Sequence, residues 1–267
     1  MAELEELTRF LSPETRLDVK SLALQQVLGL TGTTEGRKML LGTNRICQNL
    51  CLLMNDEQPS VATDASLALV NLSSDEDVIP TIVSNNSEVV DVMLDVVTNP
   101  EHELADPACM MLSNLTRVPS GSETVFAKMS SKLDLYVDIF CQEKFNKKGA
   151  KLHYLGPVFS NLSQIPEMRL YILDPSKSAL QRLVSFTDYK DSIIRRGGVI
   201  GMIKNCCFQT EHHEWLLSES VDILPKLLLP LAGPEELSEE ENDKLPIELQ
   251  YLDEEKAREK DPDIRKT

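Results

Sequence analysis

Four asparagines, Asn71, Asn114, Asn161 and Asn205, stand 43, 47 and 44 residues apart, each inside a phrase of the same make. A carboxamide carries two N–H donors and an acceptor oxygen, so a row of them can pair with the main chain of an extended peptide whatever its sequence. The same amides can instead bond to the backbone of adjoining structure, and the two uses can coexist. Arg195-Arg196-Gly197-Gly198 is a second candidate. Its guanidinium groups could clamp carboxylates on a partner, and its glycines permit close approach of another backbone. The plainer reading is an arginine that ties adjacent units by an ion pair. The only dense basic segment, Lys144-Phe-Asn-Lys147-Lys148-Gly-Ala-Lys151, could receive an acidic partner through Lys147 and Lys148, or could be a solvated inter-helix loop. Cys206-Cys207 with His212-His213 suggests zinc, but vicinal cysteines point to different sides of a helix and no second pair has ligand spacing. No metal or other cofactor is therefore expected. Trp215, the sole tryptophan, reads as a core anchor beside these histidines.

Catalytic motifs are missing. There is no phosphate-binding glycine loop, nucleophile elbow or metal-ligand pattern, so no catalytic residue is assigned and an enzyme is not expected.

The elements that must position these groups follow from the phrase itself. It occurs at Ala65–Ser73, Ala108–Thr116, Leu155–Ser163 and Val199–Cys207, with a fainter copy at Ala23–Thr31. Numbering each copy from zero, apolar residues fall at positions 0, 3, 4 and 7, which is one face of a helix. The asparagine at position 6 lies roughly 110° from the centre of that face, at the flank of the buried stripe. Repetition at 42 to 47 residues is in the armadillo/HEAT range. The predicted fold is an all-α, right-handed armadillo/HEAT-like solenoid of about five helical repeats, in which stacking aligns the four asparagines as a ladder. Approximate units are 1–32, 33–75, 76–118, 119–165 and 166–210, then an incomplete unit 211–267, all forming one domain over 1–267. Ser12-Pro13, Asn99-Pro100-Glu101 and Asp106-Pro107 are expected to start helices, a capping side chain preceding a proline. Three phrases also match the N-glycosylation pattern at Asn71, Asn114 and Asn161, expected to be false in mid-helix.

Composition narrows the class further. Apolar residues make up 42% and aromatic residues only 5%, so aliphatic side chains must fill the core. No run is long and apolar enough to span a membrane. The acidic start Met1-Ala2-Glu3-Leu4-Glu5-Glu6 lacks a signal-peptide core, so a cytoplasmic location is expected. The six cysteines then read as buried free thiols. Net charge is −16, which disfavours nonspecific nucleic-acid binding. Between Glu235 and Asp263 stand 13 acidic and 4 basic residues, most of them in an insertion at 234–261. That insertion carries two small apolar clusters, Leu245-Pro-Ile247 and Leu249-Gln-Tyr251-Leu252, and is expected to be partly ordered. Asp261-Pro-Asp-Ile264-Arg265-Lys266 resembles the opening of the helix at Ser192, so the last repeat is expected to lack its third helix, as in a shortened chain.

The carboxy-terminal half also carries wording of its own. Leu152-His153-Tyr154-Leu155, Ser160-Asn-Leu-Ser163, Ile172-Leu-Asp174-Pro175, Arg195-Arg196-Gly197-Gly198 and Asn205-Cys-Cys-Phe208 are joined in order by His212-His213-Glu214-Trp215-Leu216-Leu217, Val221-Asp-Ile-Leu-Pro225, Leu227-Leu-Leu-Pro-Leu-Ala-Gly-Pro234 and Leu249-Gln-Tyr-Leu252. Over about 115 residues this resembles the Hgh family of armadillo-like proteins, while the first 150 residues match in repeat layout more than in wording. The resemblance implies a dedicated folding chaperone for translation elongation factor 2. Such a protein binds the new or partly folded client and brings it to the cytosolic ring chaperonin and a co-chaperone of the ninety-kilodalton heat-shock system. Armadillo nuclear-import adaptors, the nearest rival within the fold, carry tryptophan four residues before the groove asparagine. Here those positions are Leu67, Met110, Pro157 and Gly201, so a code for basic import signals is not expected. The remaining alternative is a general interaction scaffold or transport adaptor with no folding role.

Overall fold

The computed structural model describes residues 2–253 and 255–266, so Glu254 of the acidic insertion and the terminal Met1 and Thr267 lie outside the described residues. Among the described residues there is no strand. The helices are α1 (Ala2–Phe10), α2 (Leu17–Thr31), α3 (Thr34–Leu40), α4 (Arg45–Leu53), α5 (Pro59–Leu72), α6 (Ile79–Asn85), α7 (Glu88–Thr98), α8 (Ala105–Leu115), α9 (Pro119–Met129) and α10 (Leu133–Phe140). They continue with α11 (Leu155–Leu162), α12 (Pro166–Leu173), α13 (Ala179–Leu183), α14 (Ile193–Cys207), α15 (His213–Leu216), α16 (Ile223–Leu228), α17 (Glu239–Asn242), α18 (Ile247–Gln250) and α19 (Pro262–Lys266).

The recurring phrase forms the end of α5, α8, α11 and α14, and its fainter copy ends α2. All sixteen side chains at positions 0, 3, 4 and 7 of the four clear copies are at most 1% exposed. Position 1 is buried as well, through Leu24, Ser66, Cys109, Gly156 and Ile200. The inward stripe is thus wider than a four-residue face, because each of these helices is packed by a neighbour on either side. The five stack in chain order, α2 on α5, α5 on α8, α8 on α11 and α11 on α14. A second row runs behind them through α4, α7, α10 and α13. The result is an all-α solenoid whose core is one continuous aliphatic cluster from Leu7 to Ile223.

Two devices close the turns after the stacked helices. In four of the five copies the residue at position 14 reaches back to the otherwise orphaned carbonyl of position 8: Arg37 Nη1 to Thr31 at 2.8 Å, Ser122 Oγ to Thr116 at 2.6 Å, Arg169 Nη1 to Ser163 at 2.8 Å, and His213 Nε2 with the Cys207 carbonyl at 2.7 Å. Gly36 and Gly121 allow the incoming helix to come that close, since a β-carbon there would stand 2.0 and 1.8 Å from the carbonyl oxygens of Leu30 and Leu115.

Of the three proline-based start signals, Asp106-Pro107 does fall in the first turn of a helix, though without capping it, and the other two are turns. Ser12 Oγ accepts from the Glu14 N–H and Asn99 Oδ1 from the Glu101 N–H, side-chain turns that end before any helix begins. Asp106 sits inside the first turn of α8, where its carboxylate accepts the backbone N–H groups of Lys151 and Leu152 at 3.2 and 2.7 Å. It ties one repeat to the next. Side-chain caps stand at Thr33 for α3, Ser192 for α14 and Ser238 for α17, and Asp261, before Pro262, accepts the first free N–H groups of α19. Proline does open helices, at Pro59, Pro119 and Pro166, but after Gln58, Val118 and Ile165, which supply no capping side chain.

Candidate docking surface

The four asparagines form a ladder, and its hydrogen bonds follow one rule. Each amide nitrogen donates to the repeat before it. Asn114 Nδ2 bonds to the Val70 carbonyl (3.2 Å) and Ser73 Oγ (3.1 Å). Asn161 Nδ2 bonds to Thr116 Oγ1 (3.0 Å) and, at 3.5 Å, the Ser113 carbonyl. Asn205 Nδ2 bonds to the Ser160 carbonyl (3.1 Å) and Ser163 Oγ (2.9 Å). Asn71 Nδ2 reaches Thr31 Oγ1 at 3.1 Å. The hydroxyls at position 8 are held in turn, donating to their own position-5 carbonyls at 2.7 to 3.0 Å. The serine or threonine two residues after Asn71, Asn114 and Asn161 is therefore the acceptor for the following repeat, as Thr31 is for Asn71. That partnership is what the glycosylation-like spacing encodes. The recurrence of Thr31, Ser73, Thr116 and Ser163 at position 8 was the available sequence signal for it.

The internal use of these amides leaves part of each free. All four asparagines are half-buried, and among the described residues no hydrogen bond satisfies their Oδ1 atoms, which are not enclosed. The ladder thus presents acceptors outward while its donors hold the repeats together. Beside it, the position-2 residues Leu67, Met110, Pro157 and Gly201 form a shallow apolar strip, with Leu67 46% exposed and the others half-buried.

The arginine pair has a different role from a client clamp. Arg195 is 1% exposed. Its guanidinium carbon lies 4.4, 5.0 and 5.1 Å from the ring centroids of Phe140, Phe186 and Tyr189, and Nη2 donates to the Lys151 carbonyl at 2.6 Å. Rings and a carbonyl hold it, not a carboxylate. Burial pushes its pKa down from the usual arginine value. Arg195 is therefore corrected from a partner-binding residue to an internal tie that fills a cage between α10 and α14. Arg196 pairs with Glu259 at 2.9 Å and donates to the Tyr189 carbonyl at 3.0 Å, so it too is engaged within the chain. The glycines after them admit a backbone, but it is the chain's own. A β-carbon on Gly198 would stand 2.1 Å from the carbonyl carbon of Gly156, so α11 and α14 cross with main chains in contact.

Lys147 and Lys148 do lie on the surface. They pair across repeats with Glu101 and Glu103, all four side chains being more than half exposed. Pairs this open hold their partners weakly and remain exchangeable for another acidic surface.

No thiol is activated, since burial raises all six above the ordinary cysteine value. Cys47, Cys51, Cys109 and Cys206 are buried, whereas Cys141 and Cys207 are half-exposed, so full burial holds for four of the six. Desolvation pushes the Cys47 and Cys206 thiols up to about 12. Trp215 is half-buried against the core. Among the described residues no three His, Cys, Asp or Glu side chains converge where a metal could be held, and no helix is long and apolar enough to cross a membrane.

A family profile described as "Domain of unknown function (DUF383)" matches residues 96–266. The protein HGH1 homolog of Danio rerio is 49% identical over 267 residues, covering 99% of this chain and 70% of that protein. The HGH1 homologs of Homo sapiens and Drosophila melanogaster are 43% and 42% identical, spanning 69% and 74% of those proteins. Among solved structures, a designed armadillo repeat protein aligns with a TM-score of 0.68 at 15% identity, covering 87% of this chain and 94% of that one. Another, in complex with peptide (KR)4, aligns with the same TM-score at 16% identity, covering 88% and 94%.

Proposed function

Because the chain belongs to the HGH1 family, we propose that it is a client-specific folding adaptor that binds newly made translation elongation factor 2 and links it to the cytosolic ring chaperonin and a heat-shock co-chaperone. The observation that carries this reading is the ladder of Asn71, Asn114, Asn161 and Asn205, whose unbonded acceptors recur at four successive repeats beside an apolar strip. Evenly spaced acceptors next to apolar side chains suit an extended, incompletely folded segment, which offers unpaired backbone N–H groups and exposed hydrophobic residues together. Binding such a segment removes it from aggregation and shifts the client's population toward foldable states. Lys147 and Lys148 are a second contact in this reading, exchanging Glu101 and Glu103 for acidic groups of the client. The site is cytoplasmic, where client and chaperonin are made and act.

The test is depletion of the protein in cells, followed by separation of soluble from aggregated elongation factor 2 and crosslinking mass spectrometry on the purified complex. Elongation factor 2 should shift to the aggregated fraction, and crosslinks should cluster on the strip at Leu67, Met110 and Pro157. Unchanged client solubility, with no client or chaperonin recovered, would leave a general scaffold and overturn the folding role.

A further inference from the structure

Residues 228–253 leave the solenoid as an excursion built on α17 and α18, with Ser238 and Glu241 forming a reciprocal cap at the start of α17. The excursion encloses a cleft of about 770 Å³. Its apolar wall is made by Leu228, Leu231, Leu237, Leu245, Leu249 and Leu252. Only Leu249 is fully buried, while Leu231 and Leu237 remain 46% and 49% exposed, so the wall is not closed by the chain itself.

The charged groups around this wall are mostly carboxylates, Glu235, Glu236 and Asp253 against a single arginine, Arg258. Asn242 donates one amide N–H to the Gln250 carbonyl at 3.4 Å and Gln250 one to the Leu245 carbonyl at 2.8 Å, so both side chains brace the excursion and keep an N–H and an oxygen for an occupant. Arg258, the one basic residue lining the cleft, is committed to Glu235 and to the Leu231 carbonyl. Glu236 and Asp253 line the cleft without an ion-pair partner among the described residues. This rim belongs to the stretch with 13 acidic and 4 basic residues, where carboxylates cannot neutralise one another.

An open leucine wall under a negatively charged rim, whose one arginine is already paired, selects one kind of occupant: an apolar face flanked by cationic donors. We propose that this cleft docks a basic amphipathic segment of a partner protein, its apolar side chains on Leu231 and Leu237 and its lysine or arginine groups on Glu236 and Asp253. This site is separate from the asparagine ladder and does not depend on the identity of the client.

Fluorescence polarisation against the full chain tests it. The probe is a fluorescein-labelled leucine–lysine peptide with leucines at i, i+3, i+4 and i+7, and the control replaces every lysine by glutamate. The lysine peptide should bind and the glutamate peptide should not. Leu231→Ser with Leu237→Ser should weaken binding by about tenfold or more, as expected for losing two apolar anchors. Glu236→Gln with Asp253→Asn should weaken it severalfold and flatten its salt dependence. Equal binding to the leucine variant would mean that the peptide is held by net charge alone and would overturn the proposal, as would binding of the glutamate peptide or no binding at all. A thermal melt monitors folding. Should the leucine variant fail to fold, unchanged affinity in the carboxylate variant overturns the proposal by itself.

Discussion

The asparagine at position 6 and the hydroxyl at position 8 act as one unit spread over two repeats. Ser163 is fully buried and uses both sides of its hydroxyl, donating to the Ser160 carbonyl at 2.7 Å and accepting from Asn205 at 2.9 Å. Ser163→Ala should cost about 1 kcal/mol because it removes one of the two acceptors of the half-buried Asn205 amide, and Asn205→Ala about 1 kcal/mol. The double variant should cost less than the sum, by about 1 kcal/mol, in a urea-denaturation cycle. Full additivity would show that the two side chains are not coupled. The asparagines were legible in the sequence because they recur, and so were the sixteen apolar positions. The direction of their bonds was not, since an amide alone does not say which neighbour it faces. Arg195 was misread for a related reason: Phe140, Phe186 and Tyr189, which form its cage, arrive from up to 55 residues away and carry no local pattern.

At the scale of helices, the α11–α14 crossing is the tightest joint in the stack. Gly156 and Gly198 meet main chain to main chain, and Gly201 faces Ser160, where an added β-carbon would come within 2.5 Å of the hydroxyl. Close contact brings the Asn205 amide to its acceptors and encloses Arg195. Gly198→Ala cannot be absorbed by a side-chain rotation, because the clash is with backbone, so the two helices must separate. The expected loss is about 3 kcal/mol or more, as for overpacking a rigid core, and is read as a lowered urea midpoint. Gly197→Ala is the matched control: its added carbon would meet only the Ile264 side chain at 3.8 Å, an ordinary contact, and should leave the midpoint nearly unchanged. The glycine pair was legible as a site of close backbone approach. Its occupant was not, because α11 lies about 40 residues earlier and only the stacking order brings it there. Helix starts were the least legible feature. Ser12, Asn99 and Asp106 have capping chemistry yet spend it on turns and on a neighbouring repeat, while Pro59, Pro119 and Pro166 open helices without it.

Taken whole, the molecule is an elongated stack with a net charge of −16 and many of its ion pairs on the surface. Excess like charge opposes compaction and is screened by salt over about 10 Å at 0.1 M. Raising sodium chloride from about 20 to 200 mM should therefore raise the melting temperature, since the screened repulsion outweighs exposed pairs worth under about 1 kcal/mol each. A fall in melting temperature would mean that the surface pairs dominate. The fold class was legible at this scale because a repeat multiplies a weak local signal several times over. The asparagine bonds also give the stack an arrow. Every amide points toward the amino terminus, to a hydroxyl or carbonyl already fixed in the earlier repeat. During synthesis each of these amides therefore meets acceptors already made, so the rungs of the ladder can close in the order in which the units leave the ribosome, while the far face of each unit is covered only when the next helix arrives.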